Sequence, residues 1–187
     1  PWEPGEVWSL LIAGLMKRPA VLSPYVTRPN EKIYDRKALN LAPASEAAKG
    51  MYLLRKADPK KKLDGSIVLQ ESGVTIEFVS YVLPKLDAEG YNVNVYYISS
   101  AELFDLLPEK EKEEIYPQEV AQNALGITGF TLPTMEKWIT SYEGRKRILH
   151  PFRNGHFLGS GTAEIVLKQA GLDGEGIYAE VINYLKK

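Results

Sequence analysis

The stretch Gly65-Ser-Ile-Val-Leu-Gln-Glu-Ser-Gly-Val-Thr-Ile-Glu77 decides the fold. An apolar run, Ile67 to Leu69, meets a Ser-Gly turn at Ser72 and Gly73. Helical periodicity then begins at once with Val79, Val82, Leu83 and Leu86. This reads as a strand, a tight turn and a helix. The next apolar run, Val93 to Ile98, comes after Gly90, a residue suited to a helix C-terminus. Strands joined through a helix pair in parallel by a right-handed crossover, so the two runs are expected side by side in one sheet. The stretch therefore predicts an α/β domain.

Downstream, Ser99 lies three residues before Glu102, the capping-box spacing that starts a helix. Glu109 to Glu114 is a mixed charge run that reads as a solvated helix face, with a hidden catalytic carboxylate as the alternative. Gln122 to Thr128 predicts the next strand, which Gly126 weakens, and a short helix carrying Met135 and Trp138 follows Pro133. Ala163, Val166, Leu167 and Ala170 recur at helical spacing and stop at Gly171. Asp173 then caps a last helix whose core face is Tyr178, Val181, Ile182 and Leu185.

Upstream, Gly50 to Lys56 has strand composition, and the polar segment to Gly65 allows a hairpin-like antiparallel pairing with the organising strand. Lys60, Lys61 and Lys62 read as a solvated loop tip, or as a phosphate-facing patch. Residues 29–48, polar and interrupted by Pro29 and Pro43, read as a linker. Trp8, Leu11, Ile12 and Leu15 fall at i, i+3, i+4 and i+7, which predicts an amphipathic helix from near Pro4 to near Lys17. An extended segment starts at Ala20, and Pro24 and Pro29 keep it from being a long central strand. A helix and a strand alone make no core. Residues 1–28 are therefore expected to be the last helix and strand of a preceding domain, and a chain starting at Pro1 rather than Met suggests a processed product or a piece of something longer.

The composition excludes several classes of function. With 23 Lys and Arg against 24 Asp and Glu in 187 residues, no strong field of one sign would draw in nucleic acid or an anionic membrane. Cysteine is absent, which removes disulfides, iron–sulfur clusters, thiolate zinc sites and cysteine nucleophiles, and fits a cytoplasmic home. The longest apolar run, Leu10 to Met16, is too short to span a bilayer.

The motifs that carry chemistry are few. His150 and His156 stand six apart, which is not the i, i+4 spacing of a helical metal pair, so no metal site is expected there. Ser160 has its glycines adjacent rather than two away, so it is no nucleophile elbow. Gly159, Ser160, Gly161 and Thr162 begin like a dinucleotide fingerprint, but Glu164 stands at the third glycine position. What remains is an anion-binding turn with free backbone N–H groups, or a turn made of glycines for packing. No catalytic residue is assigned.

The ordered motifs resemble one family. Val68-Leu-Gln-Glu-Ser-Gly-Val-Thr-Ile-Glu77, Val93-Asn-Val-Tyr-Tyr-Ile-Ser-Ser-Ala-Glu-Leu-Phe104, His156-Phe-Leu-Gly-Ser-Gly161 and Ala170-Gly-Leu-Asp173 resemble the C-terminal domain of transketolase-like thiamine-diphosphate enzymes. Arg18 to Arg28 resembles the final strand of the family's pyrimidine-binding domain, and Ala42 to Leu53 its linker into the last domain.

The resemblance implies a three-layer α/β/α domain over residues 49–187, with a five-stranded mixed sheet whose first strand is antiparallel. It implies that this chain binds no cofactor or metal, thiamine diphosphate and magnesium being held by N-terminal and middle domains that this sequence lacks. It implies a homodimeric enzyme that transfers two-carbon ketol units between sugar phosphates. This part would be silent alone and would supply folding and dimer contacts. One functional residue carries over, Arg28, whose guanidinium fork suits a substrate phosphate. Pro29 stands where the family has glutamine, and Pro24 is a second departure. Two other readings compete: the last domain of a 2-oxoacid dehydrogenase first component, and a free-standing module that binds an anion or nucleotide for regulation.

Overall fold

The computed structural model describes residues 1–26 and 32–186. Four strands form one mixed sheet: β1 (Met51–Arg55), β2 (Gly65–Gln70), β3 (Val93–Ile98) and β4 (Leu125–Thr128), in the spatial order β1-β3-β2-β4. β2 pairs in parallel with β3 on one edge and with β4 on the other, from Gly65 opposite Val93 and Ile67 opposite Leu125. The parallel pair expected from the organising stretch is thus present.

Three expectations need correction. β1 is antiparallel, but its partner is β3, with Met51 opposite Ile98, and no hairpin joins it to β2. The intervening loop is held by Asn92, just before β3, whose side chain accepts from the Asp58 N–H and donates to the carbonyls of Asp58 and Lys62. The loop thereby passes the start of β3 and leaves β1 on its far side. Among the described residues the sheet has four strands, not five. A fifth is reduced to a bridge in which Leu149 pairs in parallel with Ile127 through two hydrogen bonds, Thr128 N–H to Leu149 O and Leu149 N–H to Gly126 O. A helix ends at Lys146 just before it, and Pro151 just after it has no N–H to extend the ladder. Finally, no strand forms among the described residues 17–26, where Pro19 and Pro24 interrupt the backbone donors.

Helix α1 spans Val7–Met16 and is entered through a 3-10 turn at Pro4–Glu6. After β2 the chain runs helically from α2 (Ser72–Glu77) through a π-turn at Phe78–Val82 into α3 (Leu83–Glu89). The π-turn stands just before Pro84, whose missing N–H would forfeit an α-helical bond in any case. Gly90 closes this helix with a left-handed backbone, φ 82°. Between β3 and β4 lie α4 (Ala101–Asp105), α5 (Glu109–Ile115) and α6 (Gln118–Asn123). The cap of α4 is Ser100, one residue after the expected Ser99, and its Oγ accepts from the Leu103 N–H. After β4 come α7 (Leu132–Glu136), α8 (Tyr142–Lys146), α9 (Ala163–Ala170) and α10 (Gly174–Leu185), the last capped by Asp173 as its sequence implies.

Side-chain alternation along the strands builds two cores. Ile67, Leu69, Val95 and Tyr97 face α2, α3 and α10 through Val74, Phe78, Leu86, Ile177 and Val181. Val68, Tyr96 and Ile98 face the other way, onto Phe104, Tyr116, Ala121, Met135 and Trp138. The result is the expected three layers, α/β/α.

Gly126 in β4 is a close-packing glycine: a Cβ there would lie 2.8 Å from Met135 Cγ and 2.9 Å from Ile139 Cγ1. The residue that weakens the strand in sequence is what lets the second helical layer approach it. Gly126→Val should therefore cost about 1–3 kcal/mol of unfolding free energy by overpacking. Urea denaturation checks this, and an unchanged midpoint would contradict the packing.

Candidate functional site

In an open α/β sheet the natural ligand crevice lies beyond the C-terminal ends of adjacent strands whose connections leave in opposite directions. Here the chain leaves β2 toward β3 and leaves β4 toward the Leu149 bridge, so the switch point lies between β2 and β4. Its residues are Gln70 and Glu71 at the end of β2, and Thr128 and Gly129 at the end of β4.

This crevice is filled by the protein's own polar groups. Gln70 Oε1 accepts from the Thr128 hydroxyl at 2.9 Å and the Thr134 hydroxyl at 2.8 Å, and Thr128 Oγ1 accepts from the Phe130 N–H at 3.0 Å. The Glu71 carboxylate accepts from the N–H groups of Gly73 at 2.7 Å and Val74 at 3.1 Å, and from the Ser72 hydroxyl at 3.0 Å. It occupies the position at the start of α2 where an anionic ligand would otherwise find unpaired donors. It also lies so close to Gly129 that a Cβ there would overlap it. Glu71 reaches this place with φ 84° and ψ 151°, a region that L-residues other than glycine rarely occupy. Sequence reasoning missed this strained cap. The one available signal was a glutamate immediately before the Ser72-Gly73 turn.

The residues proposed from sequence do not gather at the switch point. Arg28 lies outside the described residues. Gly159, Ser160, Gly161 and Thr162 form an exposed turn leading into α9, and Thr162 makes no side-chain cap. A Cβ at Gly159 would meet nothing within 4 Å, so close packing does not explain this glycine. His150 Nδ1 accepts from the Phe152 N–H at 3.3 Å, and burial, with Arg153 nearby, lowers its pKa. His156 contacts the carbonyl of Asn154 at 3.2 Å. Among the described residues no group of three or more His, Cys, Asp or Glu could hold a metal ion.

The surface that stands out is α1. Its residues Trp8, Ile12, Leu15 and Met16 are 74, 55, 62 and 77% exposed, so three of the four residues of the periodic apolar stripe lie in water. Val21, Tyr25 and Val26, in the segment that follows α1, are exposed as well. A helix apolar on all sides is ordinarily buried on all sides. Here the side that meets the domain is already fixed, because α1 is anchored through a buried polar network.

In that network Arg36 Nε binds Glu3 Oε1 at 2.7 Å and its Nη2 binds Glu6 Oε1 at 2.7 Å. The Tyr52 hydroxyl donates to Glu6, the Trp2 indole donates to Tyr52 Oη at 3.2 Å, and Arg36 donates to the Ala42 carbonyl at 2.9 Å. The guanidinium also lies 5.1 Å from the Trp2 ring centroid. Burial pushes the Glu6 carboxyl up, against the hydrogen bonds from Tyr52 and Arg36. Burial pushes the Tyr52 phenol well up. Among the described residues every buried side-chain N or O atom has a partner. The charged start of the chain is thereby tied to β1 through a segment that reads as a linker in sequence.

Comparison with the sequence descriptions of known protein families finds no match, and comparison with curated proteins finds none either. Solved structures do match. Transketolase from Leishmania mexicana superposes with a TM-score of 0.56 at 20% identity over 78% of this chain and 19% of its own. Transketolase from Campylobacter jejuni gives 0.52 at 17% identity over 72% of this chain and 18% of its own. Transketolase from Pichia stipitis in complex with sedoheptulose 7-phosphate gives 0.51 at 20% identity over 79% and 19%. The shared fold fits a transketolase C-terminal-like domain, and this chain spans about 19% of the length of the transketolases it matches.

Two measurements test the site's geometry. Glu71→Ala keeps the strained backbone and loses the cap, at a cost of about 0.5–2 kcal/mol. Glu71→Gly loses the same cap but removes the strain, so it should be more stable than the alanine variant by about 1–3 kcal/mol in denaturant unfolding. A glycine variant no better than alanine would show that the conformation carries no strain. The second concerns Glu6. A carboxyl whose pKa is raised on folding contributes stability that is complete below the ordinary carboxylate range and is lost as pH rises through the raised value. Relative to Glu6→Gln, the native protein should therefore lose unfolding free energy as pH climbs through that window. A difference independent of pH would contradict the raised value.

Proposed function

We propose that this chain is the C-terminal part of a transketolase-like enzyme that transfers two-carbon ketol units between sugar phosphates, and that it serves in folding and assembly rather than in the chemical step. The observation that carries the reading is the exposed apolar face of α1, on a fold shared with about 19% of a transketolase chain. A rigidly anchored helix with Trp8, Ile12, Leu15 and Met16 in water is a surface built to be covered. The remaining domains of such an enzyme are the natural cover, and the assembled enzyme is a homodimer.

Thiamine diphosphate with magnesium supplies the ketol-transfer chemistry in this family, and the N-terminal and middle domains hold it. The described residues of this chain offer neither a metal cluster nor an open anion site at the sheet's switch point. What the chain brings toward substrate is Arg28, whose fork is suited to two hydrogen bonds with the phosphate of a sugar phosphate.

The test is reconstitution. With thiamine diphosphate, magnesium, xylulose 5-phosphate and an aldose phosphate acceptor, the chain alone should show no ketol transfer, and transfer should appear once the coenzyme-binding domains are supplied. Trp8→Asp combined with Ile12→Asp should lower the yield of the assembled enzyme without unfolding the isolated chain. Transfer by the chain alone, assembly indifferent to both aspartates, or turnover of pyruvate in place of the sugar phosphate would overturn the reading.

A further inference from the structure

At the edge of the sheet opposite the switch point, where β1 ends and β2 and β3 begin, lies an open cleft of about 550 Å³. Small-molecule sites commonly occupy about 300–1,000 Å³. Its apolar surface comes from Leu83, Tyr91 and Val93, and its charged rim from Arg55, Lys56 and Lys61.

The charges are unevenly satisfied. Two carboxylates also line the cleft: Asp87 is ion-paired, and Asp58 is hydrogen-bonded to a backbone N–H and keeps its charge. Asp87 takes both of its oxygens to Arg55 Nη2, at 3.0 and 3.2 Å, and Asp58 Oδ1 accepts from the Lys60 N–H at 2.9 Å. Neither Lys56 nor Lys61 has a carboxylate within ion-pair distance among the described residues. Lys60 and Lys62 flank them on the same exposed loop. In a chain whose net charge is −1, this is a local excess of cations beside an aromatic wall.

The loop is not a free tip. Asn92, 8% exposed, accepts from the Asp58 N–H at 2.8 Å and donates to the carbonyls of Asp58 at 3.0 Å and Lys62 at 3.1 Å. Its own N–H donates to Asp64 at 2.7 Å, and its carbonyl accepts from the Asp64 N–H at 2.9 Å. Asn94 holds the Ala57 N–H at 2.9 Å. Two asparagines thus fix the backbone carrying the lysines, so on binding an anion the lysine side chains have to be ordered but the loop that carries them does not.

We propose that this cleft binds a phosphate-bearing small molecule, with Lys56 and Lys61 as the charge partners of a di- or polyphosphate and the Tyr91 ring as the wall for any base or sugar attached to it. The site lies away from the switch point and does not depend on the assignment to a transketolase-like enzyme. Two sources share this chemistry, free polyphosphate and a nucleotide.

Titration calorimetry with inorganic pyrophosphate and with ADP separates them. The protein should bind pyrophosphate, and binding should weaken as salt rises. Lys56→Ala combined with Lys61→Ala should weaken it at least about ten-fold, the scale of losing one charge-assisted contact. Lys110→Ala, an exposed lysine on α5 that does not line the cleft, should change nothing. Tighter binding of ADP that Tyr91→Ala abolishes would assign a nucleotide, and equal binding of the two probes would assign free polyphosphate. Both exchanged lysines are exposed, so unchanged far-UV circular dichroism would confirm folding. Failure of both probes to bind at millimolar concentration, or binding undiminished in the double variant, would overturn the proposal. Neither result bears on ketol transfer.

Discussion

Strand β2 is the central member of the ladder, paired with β3 on one side and β4 on the other, and its apolar side chains pack into the two helical layers. Ile67, Val68 and Leu69 are each fully buried, the first and last in one core and the middle one in the other. A slip of one residue would exchange the two sets and send each side chain toward the wrong layer. The rest of the domain is placed relative to this constraint: the helix that follows β2 covers one face, and α4 to α7 cover the other. It also explains the glycine in β4, because a strand beside β2 must let Met135 and Ile139 come close.

A second constraint is electrostatic. Arg36, Glu3 and Glu6 are nearly or fully buried, and a charge taken out of water is tolerated only when paired and hydrogen-bonded. Each of them is, and the partners come from three separate parts of the chain. Replacing such a cluster with apolar groups can be neutral or stabilising, so its value is geometric more than energetic. It holds the entrance to α1 against β1 in one orientation, and the apolar side of α1 consequently faces water in a defined direction.

The parts of the fold that were legible in the sequence are those specified by local pattern. The turn at Ser72-Gly73, the β3 run, the Asp173 cap and the α9 and α10 periodicities each occupy a short window, and each appears in the structure. What was not legible depends on long-range partners. Composition shows that Met51–Arg55 is a strand but cannot show that β3 has the free edge. Leu149 carries the right residue type, yet Pro151 and the preceding helix leave it a single bridge. The stripe Trp8, Ile12 and Leu15 has the period of a buried face. Periodicity reports that one face is apolar, not which partner covers it, and this structure offers that face no partner. Arg36 stood in a polar segment without period, where nothing local distinguishes a buried guanidinium from a solvated one.

The candidate sites differ in the same way. A strand–turn–helix beside a topological switch point is the place where an α/β sheet ordinarily takes a ligand, and pattern alone points there. The structure fills that place with Glu71, at the cost of an unfavourable backbone conformation. A carboxylate held by two backbone N–H groups and a hydroxyl already satisfies the donors that a phosphate would seek, and its charge opposes a second anion. The usual crevice is therefore a piece of internal structure in this chain. Among the described residues its surfaces with unsatisfied chemistry are elsewhere: apolar on α1, which no other described element covers, and cationic at the opposite edge of the sheet, where Lys56 and Lys61 have no carboxylate within ion-pair distance. The first calls for a protein surface and the second for an anion, so the two can be occupied at once without competing.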